Sequence, residues 1–166
     1  KLAYAVSAIR TSDAAEVAVN MLETGKLSAD ELDEIVTSIA LAGSADQLGR
    51  SVRAILKADE GRLSLTRMKP LLDRTSRDRT VPSGVGSALL RIAERAEAAK
   101  ESGQIDVLSR LAGAWQVTEL EPVLVRVIGS ADPSVRQRII GSLGSFDTPS
   151  ARQELDRLSR DANAEV

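Results

Sequence analysis

Apolar residues recur along this chain in steps of three and four. Leu32, Ile35, Val36 and Ile39 form one stripe, and Leu48, Val52, Ile55 and Leu56 the next. Val135, Ile139, Ile140 and Leu143 form another, followed by Ala151, Leu155 and Leu158. That spacing gives each segment one buried face and a helical, not extended, backbone. Start signals punctuate the stripes. Asp13 with Glu16, Ser28 with Glu31 and Ser44 with Gln47 have the spacing of a capping box, in which each side chain satisfies the other's free amide. Asp132-Pro133 and Thr148-Pro149 set a cap before a proline, whose missing N–H costs nothing at a first helical position. Gly25, Gly43, Gly103, Gly113, Gly129 and Gly144 fall near expected helix ends, where a left-handed residue closes the last turn. The predicted helices are 1–10 and 13–24, 28–42 and 44–58, 63–75 and 84–101, 104–115 and 118–129, 133–145 and 148–161. Their short connections make five antiparallel hairpins of about ten helices.

The pattern repeats at 31 residues: Gly113 falls on Gly144, Trp115 on Phe146, Leu124 on Leu155, Arg126 on Arg157. Two-helix units stacked at a fixed period make a solenoid, here an all-α superhelix read as a single domain over 1–166. Residues 162–166 occupy the places of 131–135, so the chain is expected to be a fragment of a longer array or larger protein. Two places break the period. Pro70 lies inside a predicted helix, where it removes one backbone hydrogen bond and is expected to kink or restart it. Residues 75–86 (TSRDRTVPSGVG) read as the longest loop, polar and basic.

The last hairpin, 131–160, carries Asp132, Pro133, Val135, Arg136, Ile139, Leu143 and Gly144, then Asp147, Pro149, Ala151, Leu155 and Leu158. This pattern resembles the HEAT repeat family, in particular its short bacterial form, the phycobilisome-lyase HEAT-like repeat. Leu41-Ala42-Gly43-Ser44, Leu111-Ala112-Gly113-Ala114 and Ser142-Leu143-Gly144-Ser145 look like three copies of one helix ending. The resemblance implies a right-handed α-α superhelix whose second (B) helices line a concave side. Family members mostly bind proteins and some bind nucleic acid. Repeats of this type also accompany oxidoreductase domains in large secreted bacterial proteins.

Composition narrows the chemistry. Aromatic residues make up only 2%, against 43% hydrophobic, which disfavours a sandwich or barrel. The chain contains no Cys and no His. It therefore lacks disulfides, thiolate nucleophiles, and the commonest general base and nitrogen metal ligand. A net charge of −2, from 22 basic and 24 acidic residues, implies no strong field for nucleic acid or membrane. No apolar run approaches the ~20 residues of a spanning helix. Cytoplasm and bacterial periplasm fit equally, and oligomeric state is left open. Asp30, Glu31, Asp33 and Glu34 crowd one helix start, as acids do under the helix dipole. Glu94 and Glu97 interleave with Arg91 and Arg95, as in a solvated face of helical charge pairs. Trp115 aligns with Phe146 and reads as core. The expectation is a chain with no catalytic residues, no cofactor and no metal.

What remains is a binding surface. Arg50, Arg53, Arg91, Arg95, Arg126 and Arg157 fall on B helices, and Arg77 and Arg79 on the basic loop. If they align they form a basic ladder for acidic peptides or phosphate. The expected function is a non-enzymatic protein-interaction or scaffold module, its partner another protein or another domain of the parent chain. The alternatives are a nucleic-acid or phosphate-binding solenoid, and an accessory domain of a secreted bacterial oxidoreductase.

Overall fold

In the computed structural model, the described residues are 11–25, 27–59 and 61–160. The helix expected at 1–10 and the helix start expected at 162–166 lie outside them. Every regular element among the described residues is helical: α1 (Ser12–Thr24), α2 (Ala29–Ala42), α3 (Ala45–Ala58), α4 (Leu65–Asp78), α5 (Gly86–Ala99), α6 (Ser102–Trp115), α7 (Glu121–Val127), α8 (Pro133–Ser145) and α9 (Pro149–Arg160). Single 3-10 turns, Thr118–Leu120 and Ile128–Ser130, flank α7, so the helix expected at 118–129 is tightened at both ends. Among the described residues the fold class is all-α, built of antiparallel helix pairs. The chain divides into two compact units, 1–85 and 86–166.

Local chemistry sets most boundaries. Ser28 and Ser44 close full capping boxes: the Glu31 amide donates to Ser28 Oγ at 3.4 Å and the Ser28 amide to Glu31 Oε2 at 3.0 Å. The Gln47 amide donates to Ser44 Oγ at 3.3 Å, and the Ser44 amide to Gln47 Oε1 at 2.9 Å. Thr148 Oγ1 accepts from the Ala151 amide at 3.1 Å, with Pro149 as the first helical residue. Two start signals act differently. Thr11, not Asp13, caps α1, accepting from the Ala14 amide at 3.2 Å, which leaves Asp13 in the first turn. Asp132 precedes α8 without a side-chain cap bond. The glycine stops differ more. Gly25 and Gly43 end their helices in extended conformation, and Gly113 and Gly144 lie inside α6 and α8. The left-handed turns are made by Arg79, Lys100 and Gln116, and by Gly61 and Gly84.

In the first unit, α2 packs on α4 and α1 on α3, each helix against its counterpart one repeat away. The core is Val19, Leu32, Ile35, Ile39, Leu48, Val52, Ile55, Met68 and Leu71. α4 runs through Pro70 without a break. The proline ring still denies the Thr66 carbonyl its amide partner four residues on. α4 also extends to Asp78, three residues past the expected end, which shortens the loop to 79–85.

That loop is fastened, not loose. The Ser83 amide donates to the Ala45 carbonyl at 2.9 Å, and Arg53 Nη1 donates to the Ser83 and Gly84 carbonyls at 3.2 and 2.8 Å. Within it, Pro82 and Val85 are buried. Gly49, in the middle of α3, permits this approach: a Cβ there would collide with the Ser83 carbonyl. Sequence reading gave Gly49 no role, yet a lone glycine inside a helix costs ~1 kcal/mol and so marks a close contact.

In the second unit, α6 packs on α8 and α5 on α7, with α9 closing a hairpin on α8. Leu89, Leu108, Leu111, Leu120, Leu124, Ile139 and Leu143 are fully buried. Trp115 and Phe146 are core, as their alignment predicts. Ile140 and Leu155, expected on the buried face, are only half-buried. Small residues bring α6 and α8 together. Ser142 Oγ donates to the Ser109 carbonyl at 2.5 Å and Ser145 Oγ to the Gly113 carbonyl at 3.4 Å. A Cβ on Gly113 would lie 3.1 Å from Ser142 Oγ. The small residues at the ends of α6 and α8 thus form the seam between these two helices.

Candidate functional site

Arg50, Arg53, Arg126 and Arg157, among the eight arginines singled out from the sequence, make close bonds within the fold. On α3, Arg50 binds three residues of α1: Nη1 donates to Glu16 Oε1 at 2.7 Å, Nη2 to Asn20 Oδ1 at 3.1 Å and to Glu23 Oε2 at 2.6 Å. Gln47 adds a bond to Glu16 Oε2 at 3.0 Å. Hydrogen bonds from Arg50 hold Glu16 and Glu23 below the ordinary carboxylate value, and the pair raises the Arg50 pKa in turn. Arg53 clasps the loop described above. Arg126 on α7 forks onto Glu97 of α5 at 2.8 and 2.7 Å, and these bonds lower the Glu97 pKa. Arg157 forks onto Glu154 three residues earlier at 2.8 and 2.6 Å, with the same effect on Glu154. Arg77 is 4.0 Å from Asp78 with its side chain 55% exposed.

Arg79, Arg91 and Arg95 are exposed, Arg79 as the left-handed residue ending α4 and the other two on the outer face of α5. The structure therefore brings Arg50 to α1 and Arg126 to α5, one repeat away in each case. Glu97 takes a partner on α7 where the sequence pattern pointed to one on its own helix. The difference is geometric: stacked helices put residues about one period apart side by side, a proximity invisible within a single helix.

Sequence reading missed the charges on the other helix layer. Arg67 on α4 donates to Asp33 of α2 at 2.7 Å and to both Asp59 oxygens at 2.6 Å. Burial opposes the charge on Arg67, but these carboxylates outweigh it and raise its pKa. Arg74 Nη1 donates to the Leu41 carbonyl at 2.6 Å, at the end of α2, and its Nε lies 2.8 Å from Asp78. In the second unit, Asp106 of α6 sits between Arg110 at 3.2 Å and Arg138 of α8 at 2.7 Å. The acidic helix start dissolves into separate duties: Glu31 caps, and Asp33 pairs with Arg67. No group of three or more metal-ligating side chains gathers among the described residues.

Open concavities lie between helices. One, of about 310 Å³, runs between α2 and α4, with Leu41, Pro70 and Arg77 among its walls. A second, of about 300 Å³, lies where the ends of α5 and α7 meet the starts of α6 and α8. Ile105 and Val135 line its apolar part, and Lys100, Arg126 and Glu97 its charged part. A third, of about 480 Å³, lies between α7 and α9 beside Arg157 and Arg160. None encloses a pair of ionisable groups displaced by burial, the arrangement a helical enzyme would need.

Paired helices, stacked at one repeat and joined by inter-repeat ion pairs, define a class of α-helical repeat proteins. Residues 87–166 match the family model described as HEAT repeats, which supports a HEAT-repeat assignment over that segment. No curated protein and no solved structure matches the chain. HEAT repeats generally mediate protein–protein interaction or scaffolding. No helix among the described residues is long and apolar enough to cross a membrane.

Proposed function

We propose that this chain is a non-catalytic protein-interaction module that presents exposed helix faces to a partner protein or to another domain of its parent. One observation carries the reading. The displaced carboxylates are held by arginine pairs, between helices for Glu16, Glu23 and Glu97 and within α9 for Glu154, and by the Ser28 cap for Glu31, not by burial in a reaction cavity. Charges used this way build a stiff scaffold. Within the second unit, Arg91 and Arg95 on α5 are the contact residues of choice, because both are exposed on one helix face.

A photoreactive side chain placed at position 91, or at position 95, tests this in extract of the source cells. The expected result is one discrete protein adduct, identified by mass spectrometry and lost on Arg91→Glu. Adducts only with nucleic acid would replace the reading with the polyanion alternative, and absence of any adduct would overturn it for this face.

A further inference from the structure

We propose that the groove between α2 and α4 binds an extended acidic segment of a partner protein, about five residues long and interspersed with aliphatic side chains. This rests on the interaction-module reading and adds to it a second surface, in the first unit, and the chemistry of its occupant.

The groove follows from helix periodicity. On α4 its wall is formed by Thr66, Lys69, Pro70, Asp73, Arg74 and Arg77, spaced three and four apart on one face. On α2, Thr37, Ala40 and Leu41 form the facing wall. From Thr66 to Arg77 is eleven residues, or ~16 Å at the helical rise. An extended strand covers that length in about five residues. Ala40, Leu41 and Pro70 supply apolar surface for alternate side chains.

Charge selects the occupant. The walls hold three cations, Lys69, Arg74 and Arg77, against one carboxylate, Asp73. Lys69 and Asp73 pair at 2.6 Å, but their side chains are 67% and 62% exposed. An i,i+4 pair so open to water is worth little, and an incoming carboxylate can displace it. Arg77 is committed no more firmly, 4.0 Å from an Asp78 that Arg74 already engages at 2.8 Å. Asp78 lies outside the groove walls, and a hydrogen bond from Thr80 heads the causes that keep its carboxyl in the charged form. Arg74 is held in place by the Leu41 carbonyl and by Asp78, so it borders the groove without ordering cost but with its charge already shared.

The other two concavities are less suited. In the second unit, Arg126 and Arg157 are each bound by a bidentate carboxylate, and the walls set Lys100 and Arg126 against Glu97 in one site and Arg157 and Arg160 against Glu154 and Asp156 in the other.

The test uses the full chain and a fluorescein-labelled twelve-residue peptide alternating glutamate and leucine, read by anisotropy. Binding is expected to weaken about tenfold or more in the double variant Lys69→Glu/Arg77→Glu. Both side chains are largely exposed, so the fold should survive, which circular dichroism checks. Arg91→Glu should leave peptide binding unchanged. Peptide binding that is undetectable, or equal in wild type and the double variant, overturns the groove. If adducts at position 91 or 95 persist in that case, the interaction module itself stands. A labelled oligothymidylate that binds the same groove more tightly than the peptide overturns the acidic-peptide assignment in favour of a nucleic acid.

Discussion

Gly49 shows how a single missing methyl group organises this chain. Its absence lets the Ser83 carbonyl rest on α3, where the Ala45 carbonyl and Arg53 side chain secure the loop. Gly49→Ala gains helix propensity of ~1 kcal/mol but forces backbone against backbone, so a net loss of about 1–2 kcal/mol is expected. Urea unfolding measures it, and a variant more stable than wild type would show the contact to be unimportant. Arg50 is the electrostatic counterpart. Glu16 and Glu23 have folded pKa values below the ordinary 4.5, held there by hydrogen bonds from Arg50. Groups depressed on folding stabilise the protein above the unfolded pKa and stop doing so as pH falls through the folded one. Arg50→Gln should therefore lower stability at neutral pH and reduce the loss between about pH 6 and about pH 3. Equal acid sensitivity in the two proteins would place the pH dependence elsewhere. Both residues show the limit of sequence at this scale. Arg50 is conspicuous as a charge, but its partners lie 27 to 34 positions away and emerge only when α1 and α3 are stacked.

At the scale of the element, helices were legible and their ends mostly so. The stripes at 32–39 and 48–56 and the capping boxes at Ser28 and Ser44 are local properties, and local chemistry decides them. The end of α4 was not legible. Ser76, Arg77 and Asp78 read as loop, but Arg74 reaching Asp78, and Thr75 Oγ1 donating to the Thr80 carbonyl at 2.8 Å, carry the helix onward. Pro70 is a local conflict within the same element. Restoring the amide in Pro70→Ala should raise stability by about 1–3 kcal/mol in urea titration, and a loss would mean that packing of the ring outweighs the missing bond. The α6–α8 seam makes a second prediction. Gly113→Leu drives a branched side chain toward Ser142 and should cost about 1–3 kcal/mol. Hydrogen exchange should then rise along α6 and α8, and a stable variant with unchanged exchange would argue against the seam.

At the scale of the molecule, charge and composition speak most directly. A net charge of −2, with Arg50, Arg67, Arg126 and Arg138 paired to carboxylates, leaves little for counterion release. Binding of a labelled oligothymidylate should be undetectable at about 150 mM salt, and tight, steeply salt-dependent binding would revive the nucleic-acid reading. By itself, the sequence determined what short range controls: helical periodicity, most caps, the buried aromatic pair and the two-helix repeat. It could not determine which charges meet, or that the basic loop is tied down, or that the glycine within α3 seats that loop. Tertiary structure decided those, because stacking brings together residues about a period apart, and distance along the chain hides their contacts. The same stacking joins Arg50 and Arg126 to carboxylates one repeat away.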